Sequence, residues 1–244
     1  MNAIARRARL AAFVGAIACA ASAYADAPPL QLLVNTGSFG KSFSLNPNSV
    51  STGGVGSYVG SVDGGANTWN FNYNFSAASG VDAAAQSGTF SITNLSGAER
   101  TYNIRLTLPT ASAGTLTGLF NGSLSGTLIT SGSGYMRSVT ATPMWTALTD
   151  TVTVGQLFTS PVNIVRSGSG ASAMGSQNFG GSAPSAPSPV FGSTIAINMS
   201  FILSANATAS FSSALGGVSV PIPAPGALAL LGGAGLLVPR RRRR

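Results

Sequence analysis

Acid–base chemistry in the interior of this chain would have to come from four carboxylates: Asp63, Asp82, Glu99 and Asp150. Glycoside hydrolysis needs two such groups at a defined separation, one to protonate the leaving oxygen and one to attack or to activate water. Each of the four stands in or beside turn-forming residues, as in SVDGGAN around Asp63 and SGAER around Glu99, which reads as solvated turn carboxylates. Asp63 also lacks the further acidic neighbours of an oxygen cage for calcium. The chain has no histidine and one cysteine, Cys19. That removes the usual ligands of zinc, copper and iron, together with Ser-His-Asp and Cys-His nucleophiles. The expectation is a non-enzyme with no catalytic residue, no metal site and no cofactor.

The other residues with chemical content are aromatic. In WNFNYNFS, residues 69–76, Trp69, Phe71, Tyr73 and Phe75 share one parity and Asn70, Asn72, Asn74 and Ser76 the other. Turned outward, the four rings would make a sugar-stacking platform, and the chain would be a carbohydrate-binding module. Turned inward, they are core. An exposed row of four aromatics would form a large apolar patch, and asparagines fit badly inside, so burial is the expectation and the ligand face the alternative. Trp145 is the other tryptophan.

Strict alternation of this kind belongs to half-buried strands. It recurs at Phe90-Ile92, at Tyr102-Ile104-Leu106-Leu108, and over seventeen residues from Ile195 to Phe211. Between Leu116 and Leu128, Gly118, Gly122 and Gly126 alternate with Phe120 and Leu124, which reads as a long strand or tight hairpin against close-packed neighbours. Leu108-Pro109-Thr110-Ala111-Ser112 resembles a sortase motif, but without its terminal glycine or a following membrane segment it reads as a strand end. No stretch of the body holds a helical period. The fold class expected is an all-β antiparallel sandwich, immunoglobulin- or jelly-roll-like, over residues 26–219. Residues 167–189, SGSGASAMGSQNFGGSAPSAPSP, consist of turn formers without periodicity and are expected to be a flexible loop.

Charge is confined to the termini. The net +8 of the 244 residues comes from Arg6, Arg7 and Arg9 at one end and Arg240, Arg241, Arg242, Arg243 and Arg244 at the other. From Asp26 to Val220, five basic residues face five acidic ones, so nucleic acid is excluded as a partner. Residues 1–25 carry the basic start, an apolar run LAAFVGAIA and the small-residue pattern Ala23-Tyr24-Ala25 before Asp26, the order of a secretory signal peptide read by the Sec export machinery. Acylation at Cys19, in a weak lipoprotein-like box, is the alternative.

At the far end, Pro221 to Pro239 has no charged residue. A helix there, rising about 1.5 Å per residue, approaches the roughly 30 Å of a bilayer core. The five arginines that follow would stay on the cytoplasmic side and leave the body outside. Val220-Pro221-Ile222-Pro223-Ala224, the short Gly/Ala/Leu helix and the arginine cluster together resemble the PEP-CTERM family of bacterial sorting tails, in its VPxPA-type variant. Ile222 stands where the name-giving motif has Glu. The resemblance implies a Gram-negative bacterial protein processed by an exosortase-type membrane enzyme at Val220 to Ala224. It implies passage through the inner membrane to the cell surface or an extracellular matrix containing exopolysaccharide. A permanent single-pass envelope anchor is the alternative for the tail at 220–244. N-terminal sequencing of the exported protein is expected to begin at Asp26; a lipid-modified Cys19 as first residue would instead establish the lipoprotein route.

Overall fold

A computed structural model describes residues 27–37, 39–66, 68–112, 116–159 and 161–220. The expected signal segment and sorting tail, residues 1–25 and from Pro221 onward, lie outside the described residues. Sixteen strands follow one another: β1 (Leu30–Thr36), β2 (Phe39–Leu45), β3 (Ser49–Val50), β4 (Gly56–Asp63), β5 (Trp69–Ser79), β6 (Ala83–Asn94), β7 (Arg100–Pro109) and β8 (Leu116–Thr130) form the first half. The second half is β9 (Gly134–Ser138), β10 (Trp145–Thr149), β11 (Val152–Leu157), β12 (Asn163–Arg166), β13 (Gly170–Phe179), β14 (Ala186–Phe191), β15 (Thr194–Leu203) and β16 (Ala207–Val220).

They make two eight-stranded antiparallel sheets packed as a β-sandwich. The first runs β11-β10-β15-β7-β1-β2, with β9 continuing the β10 side of β15 and β12 paired to β9. The second runs β13-β8-β16-β6-β5-β4-β3, with β14 sharing the outer side of β8 with β13. Period-two burial follows the sequence: Leu30, Leu32 and Val34 of β1 and Tyr102, Ile104, Leu106 and Leu108 of β7 point into one core. So do Ile195, Ile197, Met199, Phe201 and Leu203 of β15, and Ala207, Ala209, Phe211 and Leu215 of β16.

The alternation from Ile195 to Phe211 is therefore real, but it serves two sheets. The chain crosses the sandwich at 204–206, where Asn206 takes a left-handed φ of +56°, a conformation asparagine tolerates better than most residues. Odd-numbered side chains face the core on both sides of the crossing. β15 becomes the partner of β7, β9 and β10, and β16 the strand between β6 and β8.

β8 is one long strand, and its glycines are places for rings. A Cβ at Gly122 would stand 2.5 Å from the Phe179 ring, 2.7 Å from Trp145 and 3.1 Å from the Ala214 carbonyl oxygen. One at Gly126 would meet Phe211 at 2.9 Å and Met174 at 3.0 Å. Aromatic side chains from neighbouring strands and the facing sheet thus occupy the volume that side chains on β8 would have filled.

Residues 167–189 correct the expectation of a flexible loop, since β13 and β14 lie within or overlap them and pair with β8. Both are edge strands: most β13 side chains face water, and β14 buries Ser188 and Phe191, three residues apart, so neither carries an apolar period. A register shift between Ala173 and Gly175, with Gly175 at φ +87°, breaks what alternation remains. Pro187 and Pro189 are compatible with β14 because an edge strand need not donate on both sides. β7 ends at Pro109, in keeping with a strand end at Leu108–Ser112.

Gly122→Ala is expected to lose about 1–3 kcal/mol through overpacking against Trp145 and the Ala214 carbonyl. Gly132→Ala, where an added Cβ meets nothing within 4 Å, is expected to leave the denaturant midpoint unchanged.

Candidate functional site

The aromatic row resolves toward the core. Trp69, Phe71 and Phe75 of β5 are buried and Tyr73 is half-buried, while Asn72, Asn74 and Ser76 are exposed on the outer face. There the Asn72 amide donates to Asn70 Oδ1 at 2.6 Å. The rings join a continuous aromatic path through the sandwich: Phe71 stacks on Phe90 at 5.3 Å and Phe90 meets Phe211 at 5.2 Å. Phe211 meets Phe201 at 5.1 Å and Phe201 stacks on Tyr102 at 5.8 Å. Trp69 sits edge-on to Phe43. The alternative of a sugar platform at Trp69, Phe71, Tyr73 and Phe75 is thereby corrected: asparagines take the solvent side because their polar groups are satisfied there, and the rings gain by leaving water. Trp145 is also internal, its Nε1–H donating 2.9 Å across the core from β10 to Ser213 Oγ on β16.

The carboxylates hold turns and strand ends. Asp63 Oδ1 accepts the Gly65 N–H at 2.8 Å. Asp150, at a left-handed φ of +51°, accepts from the Ser193 hydroxyl and the Thr194 N–H, both at 2.9 Å. Glu99 is paired with Arg137 at 3.1 Å and accepts the Tyr135 hydroxyl. That bond raises the Tyr135 phenol above its ordinary value, since ionising it would place two anions in contact. Among the described residues no three of His, Cys, Asp or Glu cluster closely enough to hold a metal ion.

The Tyr102 phenol is raised much further, by burial, with Arg100 opposing in part. Its hydroxyl is buried without a partner in the protein. The folded state therefore keeps this proton where an unfolded tyrosine gives it up.

The candidate processing segment begins where β16 ends. Of the five motif residues only Val220 is described; Pro221, Ile222, Pro223 and Ala224 lie outside the described residues, as do Ala23, Ala25, Asp26 and Arg240 to Arg244. Val220 is paired with Thr117 of β8, whose hydroxyl donates to the Val220 carbonyl at 3.1 Å. Ser219 donates its N–H to the Asp82 carbonyl at 2.7 Å and its hydroxyl to Asp82 Oδ1 at 2.9 Å. The end of the strand is thus held from both sides. Sequence reasoning did not find this clamp. Asp82 reads as an isolated turn carboxylate, and Ser219 lies 137 residues away.

Strand directions place charge unevenly. At the end where β16 terminates lie Asp82 and Asp150, beside the start of β6 and the end of β10. At the opposite end lie Lys41, Arg100, Arg137 and Arg166, with Asp63 and Glu99. Arg105 sits between, reaching the Asp150 carbonyl at 3.4 Å. No protein-family model, curated protein or solved structure matches the chain.

Trp69→Ala is expected to lose about 3–5 kcal/mol of stability, as for other large aromatics removed from a core, whereas Asn72→Ala should stay within about 0.5 kcal/mol. Denaturant midpoints check both. Above pH 10, the ordinary tyrosine value, stability is expected to fall as pH rises, because only the unfolded state loses the Tyr102 proton. Tyr102→Phe should flatten that fall.

Proposed function

We propose that this chain is an exported, non-catalytic protein of the cell surface or extracellular matrix of a Gram-negative bacterium. In this reading a signal peptide directs Sec export, the sandwich is the product, and an exosortase-type enzyme processes the tail at Val220 to Ala224. Exopolysaccharide is the expected surrounding material. Arg240 to Arg244 hold the membrane helix from the cytoplasmic side until processing. The observation that carries this is the tail sequence: Pro221-Ile222-Pro223-Ala224, an uncharged run to Pro239 and five arginines follow Val220, the last described residue of β16.

Electrostatics supports the same reading. Anionic lipid attracts a basic residue by about 1 kcal/mol, and the tail supplies five arginines in succession. The described rim beside Val220 carries Asp82 and Asp150 instead, so that end of the body offers no basic cluster to a membrane. Cutting the tail would therefore release it. Among the described residues no helix is long and apolar enough to cross a membrane. We assign the sandwich to the immunoglobulin- or jelly-roll-like kind on its connectivity, in which β6–β7, β7–β8, β14–β15 and β15–β16 all pass between sheets.

Intact-mass measurement of the surface or secreted fraction from the native host tests the reading. The expected product lacks Arg240 to Arg244. A product that keeps them would instead make the chain a permanently anchored envelope protein.

A further inference from the structure

We propose that β2 is a self-association edge: two copies of this chain join antiparallel along it, about a two-fold axis at Ser42, and fuse their first sheets into one. This holds whether or not the tail is processed. β2 ends its sheet, and among the described residues no strand lies on its far side. Only two residues separate Thr36 from Phe39, in a loop opened by Gly37 at φ +70°, and the residues flanking such a loop bond to each other. Backbone groups alternate in direction along an antiparallel ladder, so those of Phe39, Lys41, Phe43 and Leu45 are bonded to β1, while the N–H and C=O groups of Gly40, Ser42 and Ser44 point away from it. All three residues are exposed. The strand is seven residues long and has neither a proline nor a register shift, devices that ordinarily blunt an edge. Its one charged residue, Lys41, is turned across to the facing sheet, where Nζ donates to the Asp63 carbonyl at 3.2 Å.

The other edges are guarded. On the opposite flank, Gln177 Oε1 of β13 accepts the Phe158 N–H beside β11 at 2.5 Å, and the Phe179 ring lies over Gly155 of β11. Arg166 of β12 donates to the Ser169 and Ala171 carbonyls at 3.1 and 3.2 Å. β4, the neighbour of β2 in the facing sheet, is covered in part by β3, and Asn48 Oδ1 takes its Val59 N–H at 2.6 Å. A second copy fits β2 because the free groups there are self-complementary. With Ser42 opposite its own equivalent, Gly40 of each copy faces Ser44 of the other, and about six backbone hydrogen bonds form. This register sets Lys41 against Phe43, so no like charges face each other. It also sets Phe39, at 74% the most exposed large apolar side chain among the described residues, beside Leu45 of the other copy. Five basic against five acidic residues between Asp26 and Val220 leave the two bodies without net repulsion. An isologous contact of this kind closes at the dimer.

The test is sedimentation velocity of the protein as it accumulates in its host, from micromolar to submillimolar concentration, for the wild type and Ser42→Pro. Proline at 42 removes an N–H that bonds nothing within the monomer, so the denaturant midpoint should hold. The wild type should double in mass as concentration rises. Ser42→Pro should move that rise at least about tenfold higher in concentration, since both copies lose a bond at the axis. Ser42→Lys, which brings two like charges face to face on the solvent side, should shift it likewise without touching the backbone, and it decides the matter should proline disturb the fold. Between Asp26 and Val220 there is no cysteine, so Ser42→Cys should be joined to its own equivalent by a short bismaleimide. A wild type that stays monomeric throughout, association unchanged by Ser42→Lys, or no cross-link at position 42 would each overturn the inference. A strand of another protein as the natural occupant of β2 would show as the first of these.

Discussion

The structure depends on its last two strands being its innermost. β15 stands between β7 and the β9–β10 edge of one sheet, and β16 between β6 and β8 of the other. Without them β7 would lose its neighbour on one side, and β6 and β8 would face each other across a gap the width of a strand. β15 buries an unbroken apolar face from Ile195 to Leu203, and β16 buries Ala207, Ala209, Phe211 and Leu215, with Ser213 among them bonded to Trp145. The core between the sheets closes only when the chain is complete to Val220.

That closure relies on a fit between rings and glycines. Aromatic groups running from Phe71 through Phe90, Phe211 and Phe201 to Tyr102 span both sheets, and Trp145 ties β10 to β16 through Ser213. Two facing sheets stand about 10 Å apart, so large rings need recesses opposite them. Gly122 provides such a recess for Trp145 of the facing sheet, while Gly122, Gly126 and Gly217 also leave room for Phe179, Phe211 and Phe120 of neighbouring strands in their own sheet. A body with so few charges gains little from ion pairs, and its one described salt bridge, Arg137 to Glu99, is half exposed and contributes little. Packing carries the stability.

The same scarcity of charge bears on function. The described carboxylates are occupied in holding strand ends, as Asp150 does for Thr194 and Asp82 for Ser219. The aromatic row, which by composition alone could have met a sugar, is spent on the core. What remains distinctive is the last described stretch of the chain, a central strand held at Ser219 by Asp82 and at Val220 by Thr117, which the sequence follows with Pro-Ile-Pro. In the proposed reading, release and retention of such a body are decided by the tail.

Alternation in the sequence determined which faces of β5, β7, β15 and β16 would be buried, since a strand has only two faces and burying apolar area decides between them. The composition likewise determined that chemistry would not come from histidine or a body thiol, and the glycine rhythm of β8 announced close neighbours. Only the tertiary structure decided that Ile195 to Phe211 divides between two sheets, because an arch that crosses the core preserves parity and leaves no break in the pattern. It alone made strands of residues 170–179 and 186–191: the first exposes most of its side chains on an edge, and the second buries Ser188 and Phe191 three residues apart, so neither carries a period for a reader to detect. And it alone brought Asp82 to Ser219 and Thr117 to Val220, contacts more than a hundred residues apart that follow from strand order, which no local run of residues encodes.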